Sequence, residues 1–317
     1  MSERSERTIG VAAAVRTGRR RRYLLDRQRI LGPLMLTPAI LYLILVVGYP
    51  LVLACLYAFS DVTVGSSRFD LVGLRTFRAA IDDPTFPSVV AHTFLITGIS
   101  QLLVIVLCTV LAFVLAADFH GKWFVRFLVL MPWTTPVALG AVIWLWMLDS
   151  IFSPFDWFAR ELHVIPKNGH LVLLGHDNLA VGSVIMLQTW RVLPLATVIV
   201  LAGLSSIPRD VEEQAQVDGA GYWRRLFGIQ LPLLAPVLLV AVLFGVVFTF
   251  TDMAVVFILT GGGPGNATQV LSSWAFYKGI NGGNLGVGAA DALFMFPVLL
   301  GLAAIVLRLA TKTGSRI

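Results

Sequence analysis

Apolar residues fall into six long runs, 31–58, 89–116, 124–148, 180–205, 232–260 and 286–309, with polar segments between them. Each is longer than the about 20 residues an α-helix needs to cross about 30 Å of hydrocarbon. In lipid a helix satisfies its own backbone hydrogen bonds, so six membrane-spanning helices are predicted. Pro132 and Pro136, in Met131-Pro132-Trp133-Thr134-Thr135-Pro136, predict a kink in the third run. The first run carries Pro38 and closes near Gly48-Tyr49-Pro50. Residues 149–179 contain the breakers Pro154, Pro166, Gly169 and Gly175, yet Phe155–Leu162 has the pattern of a short amphipathic helix on a membrane surface. A second long loop opens at Gly261.

The polar interruption at 207–232 predicts two short helices at an angle. Pro208 bars helix before it, Asp210 is a suitable N-cap, and Glu213 follows three residues later as in a capping box, which places the first helix at about 211–218. Gly219 can take the left-handed conformation that ends it. Tyr222, Trp223, Leu226, Phe227 and Ile229 give the second helix a mostly apolar face, and Pro232 suits the first turn of the fifth span. This hairpin either lies on the membrane or docks on a protein. Glu213 and Asp218 beside the small Ala215 and Ala220 favour close approach to a protein groove.

Composition agrees with lipid as the solvent: 57% of the 317 residues are hydrophobic and 13% charged. Fold class is therefore all-α integral membrane. Lys and Arg set the orientation: with the N-terminus inside, seventeen fall on inside segments and six outside, Arg191 within a span being the remaining one. This bias puts both termini and the Glu213 loop in the cytoplasm. Arg19-Arg20-Arg21-Arg22 then reads as a topology anchor on anionic lipid and not as a nucleic-acid site. The expected organisation is a basic N-terminal segment, 1–30, followed by a transmembrane domain, 31–317. The first apolar run is too long and too late for a cleavable signal. Cys55 and Cys108 lie inside apolar runs without metal-like spacing, which points to packing.

Glu213-Gln214-Ala215-Gln216-Val217-Asp218-Gly219-Ala220, then Ile229-Gln230-Leu231-Pro232, resembles the EAA loop of permease subunits of bacterial ABC importers. That pattern is Glu-Ala-Ala, three residues, Gly, nine residues, Ile-x-Leu-Pro; Gly219 and Ile229 keep its register, while Gln214 and Leu226 depart from its Ala and Phe. Two further stretches resemble the carbohydrate branch of the family. Thr260-Gly261-Gly262-Gly263-Pro264-Gly265-Asn266-Ala267-Thr268 is similar to its signature after the fifth helix, and Phe69–Phe77 to its motif after the first, with Arg75-Thr76-Phe77 in place of the usual ending. The resemblance is to the maltose and multiple-sugar binding-protein-dependent permeases. It implies the type I importer permease fold, with Glu213, Ala215, Asp218, Gly219, Ala220, Ile229, Leu231 and Pro232 in a loop that couples to an ATPase. It also implies a second homologous permease, two ATPase subunits that hold ATP and magnesium, and an extracytoplasmic sugar-binding (lipo)protein, in a bacterial cell membrane. No catalytic residue, cofactor or metal is expected in this chain. The expected cargo is a mono-, di- or oligosaccharide, with a polyol or glycerol phosphate still open.

At membrane depth stand Gln188, Trp190, Arg191, Asp252 and Asp291. Charges there should face a partner helix or a watery cavity. Arg191 pairs with Asp252 or Asp291, or these groups line the substrate path. Trp144, Trp146 and Trp190 either stack on sugar rings or anchor the interface. A secondary carrier would use Asp252 and Asp291 as ion-coupling sites, but it predicts repeated halves and no second copy of the loop is present. An enzyme is disfavoured because His92, His120, His163, His170 and His176 scatter toward loops without metal or triad spacing. The Gly-rich run at 261 lacks the Lys-Ser/Thr of a nucleotide loop.

Overall fold

The computed structural model describes residues 28–66, 69–166 and 169–314. The N-terminal basic run, Arg68, Lys167 and Arg316 lie outside the described residues. The chain divides into two compact units, residues 1–53 and 54–317. In the first, α1 (Gln28–Leu43) leads into a five-residue π-helical turn, Ile44–Gly48, and then into α2 (Tyr49–Ala58), whose last five residues are counted with the second. The Tyr49 amide donates to Ile44 O, five residues back. Pro50 lacks an N–H and its ring presses on the carbonyl four residues earlier, so widening the turn just before it lets the helix continue.

The second unit holds α3 (Arg75–Ile81), α4 (Phe86–Ala116), α5 (Lys122–Thr134), α6 (Val137–Met147), α7 (Pro154–Glu161) and α8 (Asp177–Ser205). After them come α9 (Arg209–Val217), α10 (Tyr222–Arg225), α11 (Leu231–Phe250), α12 (Ala254–Leu259), α13 (Leu271–Phe276) and α14 (Leu285–Gly314). Among the described residues five helices are long and apolar enough to cross a membrane, and six if α5 and α6, bent by 102°, count as one span. Pro132 and Pro136 thus do more than kink the third span: Thr135 and Pro136 leave the helix altogether and take extended backbone.

α4 and α8 form the centre. Val104, Cys108 and Ala112 of α4 meet Val192, Ala196 and Val200 of α8 and Leu234 and Ala241 of α11. Toward the other end Ile96 joins Val184, Leu187, Ala141 of α6 and Val255, Val256 and Leu259 of α12. The pattern along α4 is inverted relative to a water-soluble helix: Thr93, Thr97, Ser100 and Gln101 are buried, while Leu95, Leu102, Val106 and Val110 are exposed. Small and hydroxyl residues let helices approach closely and hydrogen-bond, and lipid solvates the bulky face. The Gln101 amide donates to Thr249 Oγ1 at 3.0 Å, and it lies so close to Gly245 that a Cβ there would collide with it.

Three expectations change. The fifth span stops at Phe250; Thr251, Asp252 and Met253 break it, and α12 follows as a separate six-residue helix. The second long loop carries α13, whose Leu271 and Trp274 are buried against Val89 and Phe250. α7 starts one residue early because Ser153 caps it, its hydroxyl accepting from the Phe155 and Asp156 amides. Asp156 then fixes the loop by accepting from the Leu171 amide at 2.7 Å and pairing with Arg160 at 2.8 Å and His170 at 3.3 Å. The Leu171 hydrogen bond, opposed by burial and aided by Arg160 and His170, holds the Asp156 carboxyl below its ordinary pKa.

Candidate functional site

The 207–232 segment is built around α9. Its C-terminus is a Schellman motif: the Gly219 amide donates to Gln216 O at 3.0 Å and the Ala220 amide to Ala215 O at 2.9 Å. This closure needs a left-handed residue at 219, and Gly219 has φ +73°. The glycine of the motif is therefore a backbone requirement. The expected capping box is absent: Pro208 precedes the helix with extended backbone, so Asp210 falls inside the first turn, where Glu212 also lies, and no side chain caps the end. Both acids still suit the positive end of the helix dipole. Ala215 is buried beneath the helix, whereas Asp210, Glu213, Gln214, Val217 and Asp218 line its open side around a hollow of ≈ 500 Å³. Val217 is 88% exposed, an apolar side chain set among carboxylates.

The second helix is not an independent element. α10 runs through a π-helical turn, Leu226–Gln230, directly into α11, giving one helix from Tyr222 to Phe250. The Leu231 amide donates to Leu226 O, and this wide turn accommodates Pro232 as the earlier one accommodates Pro50. Ile229, Leu231 and Pro232 thus belong to the helix shaft. Gln230 Nε2 donates to Glu212 Oε1 at 2.6 Å and ties α9 to that shaft. Tyr222, Trp223 and Phe227 stay exposed, Trp223 stacked on Phe227 with centroids 6.0 Å apart.

At membrane depth the two broken spans meet. Trp133, at the end of α5, packs edge-on against Phe248 near the end of α11, and beyond the breaks α6 and α12 share one core cluster. Arg191 of α8 closes the break in the fifth span. Its Nη1 is 2.6 Å from Asp252 Oδ2 and its Nη2 donates to Phe248 O at 3.3 Å. Asp252 Oδ1 accepts from the Ala254 and Val255 amides, and its carbonyl accepts from Ser272 Oγ. One carboxylate therefore caps α12 and holds a guanidinium. The pairing of Arg191 with Asp291 does not form: Asp291 is fully buried in α14, and neither carboxyl oxygen has a hydrogen-bond partner among the described residues. Gln188 is buried one turn from Arg191. Trp190 covers Gly140 and meets Trp144 at 5.7 Å, so these two indoles pack within the chain, while Trp146 is exposed.

The 260–268 signature also has a structural logic. Thr260 and Thr268 join their hydroxyls at 2.7 Å, Thr268 Oγ1 donates to Gly263 O, and Thr268 is fully buried. The two threonines clasp the intervening glycines. Gln101, Thr249 and the Glu212–Gln230 contact went unnoticed in the sequence; a lone amide inside the apolar run at 89–116 is the signal that marks Gln101. Among the described residues no His, Cys, Asp or Glu cluster could hold a metal.

These features define a multi-pass membrane protein whose broken and close-packed helices surround buried polar groups. Residues 108–313 match the model of the binding-protein-dependent transport system inner membrane component family, and the chain belongs to that family. It is 30% identical, over 89% of this chain and 94% of the relative, to the trehalose/maltose transport system permease protein MalF of Thermococcus litoralis. The sulfoquinovosyl glycerol transport system permease protein SmoG of Agrobacterium fabrum is 29% identical over 89% of this chain and 90% of the relative. In fold it is similar to a chain of a bacterial ABC transporter that imports the acidic polysaccharide alginate, with a TM-score of 0.77 and 18% identity over 91% of this chain and 97% of that one. The fold is thus that of a type I importer permease, a transport subunit and not an enzyme.

Proposed function

We propose that this chain is one of two homologous permease subunits of an ATP-driven importer in a bacterial cell membrane and lines half of the path for a carbohydrate. An extracytoplasmic binding protein delivers the sugar, and two ATPase subunits hydrolyse ATP with magnesium. Residues 31–317 form the permease domain, 1–30 precede it in the cytoplasm, and both termini face inward, in keeping with the distribution of Lys and Arg. The sugar assignment draws on relatives named for trehalose, maltose and diacetylchitobiose transport.

The observation that carries the coupling role is the α9 cap. Gly219 fixes a closed helix end that presents Glu213, Val217 and Asp218 away from the bundle, while Glu212 and Gln230 join α9 to the long helix behind it. An ATPase groove that takes α9 would move that helix. Gly219→Val forces a branched side chain into the left-handed region, and Glu213→Lys reverses a charge on the open face. Both variants should insert normally and lose sugar uptake and ATPase co-purification at least ten-fold. Normal uptake and co-purification in both would remove the docking role from this loop.

A further inference from the structure

Beside α9, at the same end of the bundle, lies a second recess that the coupling role does not use. Phe113, Ala116 and Ala117 from the end of α4, Lys122 and Arg126 from α5, and Leu201, Leu204 and Ser205 from the end of α8 surround a cleft of ≈ 500 Å³ closed by Ile207, Arg209, Glu212 and Gln230. Three cations from two segments far apart in sequence converge on it, Lys122 and Arg126 from α5 and Arg209 from the start of α9. Their neutralisation within the chain is incomplete. Lys122 is 3.3 Å from Asp118, whose carboxylate is fully in solvent, and 3.4 Å from Ala116 O; Arg126 Nη2 reaches Leu115 O at 3.4 Å. The Arg209 guanidinium makes no hydrogen bond or ion pair among the described residues. The one carboxylate in the wall, Glu212, accepts from the neutral Gln230 amide at 2.6 Å and keeps its charge, so it offsets one of the three cations and leaves the lining net positive. Phe113, Leu201, Leu204 and Ile207, half-buried where they pack on the α4–α8–α11 core, give the recess an apolar side.

We infer that this cleft binds a phosphate group, with the apolar wall suited to the first methylenes of an anionic phospholipid whose headgroup the three cations receive. Like charges held in one recess repel, and an anion between them removes that repulsion; basic pockets between membrane helices on the cytoplasmic side have this chemistry. A bound headgroup joins the α4–α5 corner to the start of α9, so the lipid sits against the element proposed to couple to the ATPase. This link to coupling rests on the inward orientation proposed above; binding itself does not.

Native mass spectrometry of the full chain, released from detergent and titrated with phosphatidylglycerol, phosphatidylcholine or inorganic phosphate, tests it. Phosphatidylglycerol should be retained at least ten-fold over phosphatidylcholine, and Lys122→Gln/Arg126→Gln/Arg209→Gln should abolish the preference. Arg224→Gln/Arg225→Gln, which removes equally basic residues outside the cleft, should keep it. Arg209→Gln alone should lower retention about three-fold, which preserves the test if the triple variant fails to fold. Retention of inorganic phosphate without a lipid preference, lost in the same variant, identifies the ligand as free phosphate and supports the site. Equal retention of both lipids with no phosphate bound, or an unchanged preference in the cleft variants, overturns the inference. Detergent exposes both faces, so an inverted topology leaves this result unaffected and is detected separately by labelling at residue 221.

Discussion

Removing the charge of Asp252 tests the organisation at the breaks. The pair it makes with Arg191 is 2.6 Å long, and the two side chains are 5% and 14% exposed, so water screens it little. Deleting one partner of such a pair typically costs about 3–5 kcal/mol, since the other is left charged and unpaired. Asp252→Ala also removes the acceptor for the Ala254 and Val255 amides, a cap worth about 0.5–2 kcal/mol, on a helix only six residues long. Asp252→Asn keeps a capping oxygen and loses only the charge, so it should be the milder variant by about the cap. Arg191→Met in either background removes the unpaired cation and should recover part of the loss. The readout is the yield of monodisperse protein after extraction, with its thermal unfolding midpoint: wild type highest, then the double variants, then Asp252→Asn, then Asp252→Ala. If the pair instead contacts sugar, the single variants should keep normal yield and show a raised half-saturation for uptake without rescue. Normal yield, melting and uptake in Asp252→Ala would falsify both roles.

With Cys55→Ala and Cys108→Ala as background, His170→Cys should react with an impermeant thiol reagent on sealed cells and Gly221→Cys only after lysis; the opposite pattern inverts the topology. The loop anchored by Asp156 should loosen in acid. Its carboxyl has a folded pKa below the unfolded value of about 3.9, so its contribution is complete above that value and is lost as pH falls through the lower, folded one. Protection of the Leu171 amide, its exchange rate relative to an unstructured amide at the same pH, should therefore be high at pH 6 and fall below about pH 4, and Asp156→Asn should remove that pH step. A step of equal size in Asp156→Asn would assign the opening to another group.

The spans were legible because length and apolarity are one-dimensional properties, and 31–58, 89–116, 180–205 and 286–309 fall within a few residues of the observed helices. Breaks were only half legible. Pro132 and Pro136 announce one, but nothing in Thr251-Asp252-Met253 forbids helix, and that break depends on Arg191, sixty residues away, and on Ser272. Gly219 was readable from its place after a helical stretch, whereas the supposed cap Asp210 was not, because Pro208 can itself take the position before the first turn. The π-helical turns before Pro50 and Pro232 escaped for a related reason: a proline in an apolar run signals a helix start or a kink, and the third outcome, an inserted residue that keeps the helix intact, leaves no compositional trace. Asp291 shows the reverse difficulty, since a carboxylate in an apolar run demands a partner by chemistry and yet has no hydrogen-bond partner among the described residues.

The unbroken helix from Tyr222 to Phe250 has a mechanical consequence. Its 29 residues make a rod roughly 40 Å long, rooted at one end beside the Gly219 cap and ending at the carbonyl that Arg191 grips. A tilt of about 5° about one end of such a rod carries the other through about 3–4 Å, as the geometry of a lever of that length requires. The discontinuity at Thr251–Met253 marks where the lever arm stops, so under the proposed docking role a torque applied at the loop would reach Phe248, Trp133 and the Arg191–Asp252 pair, while α12 stays where its own core holds it.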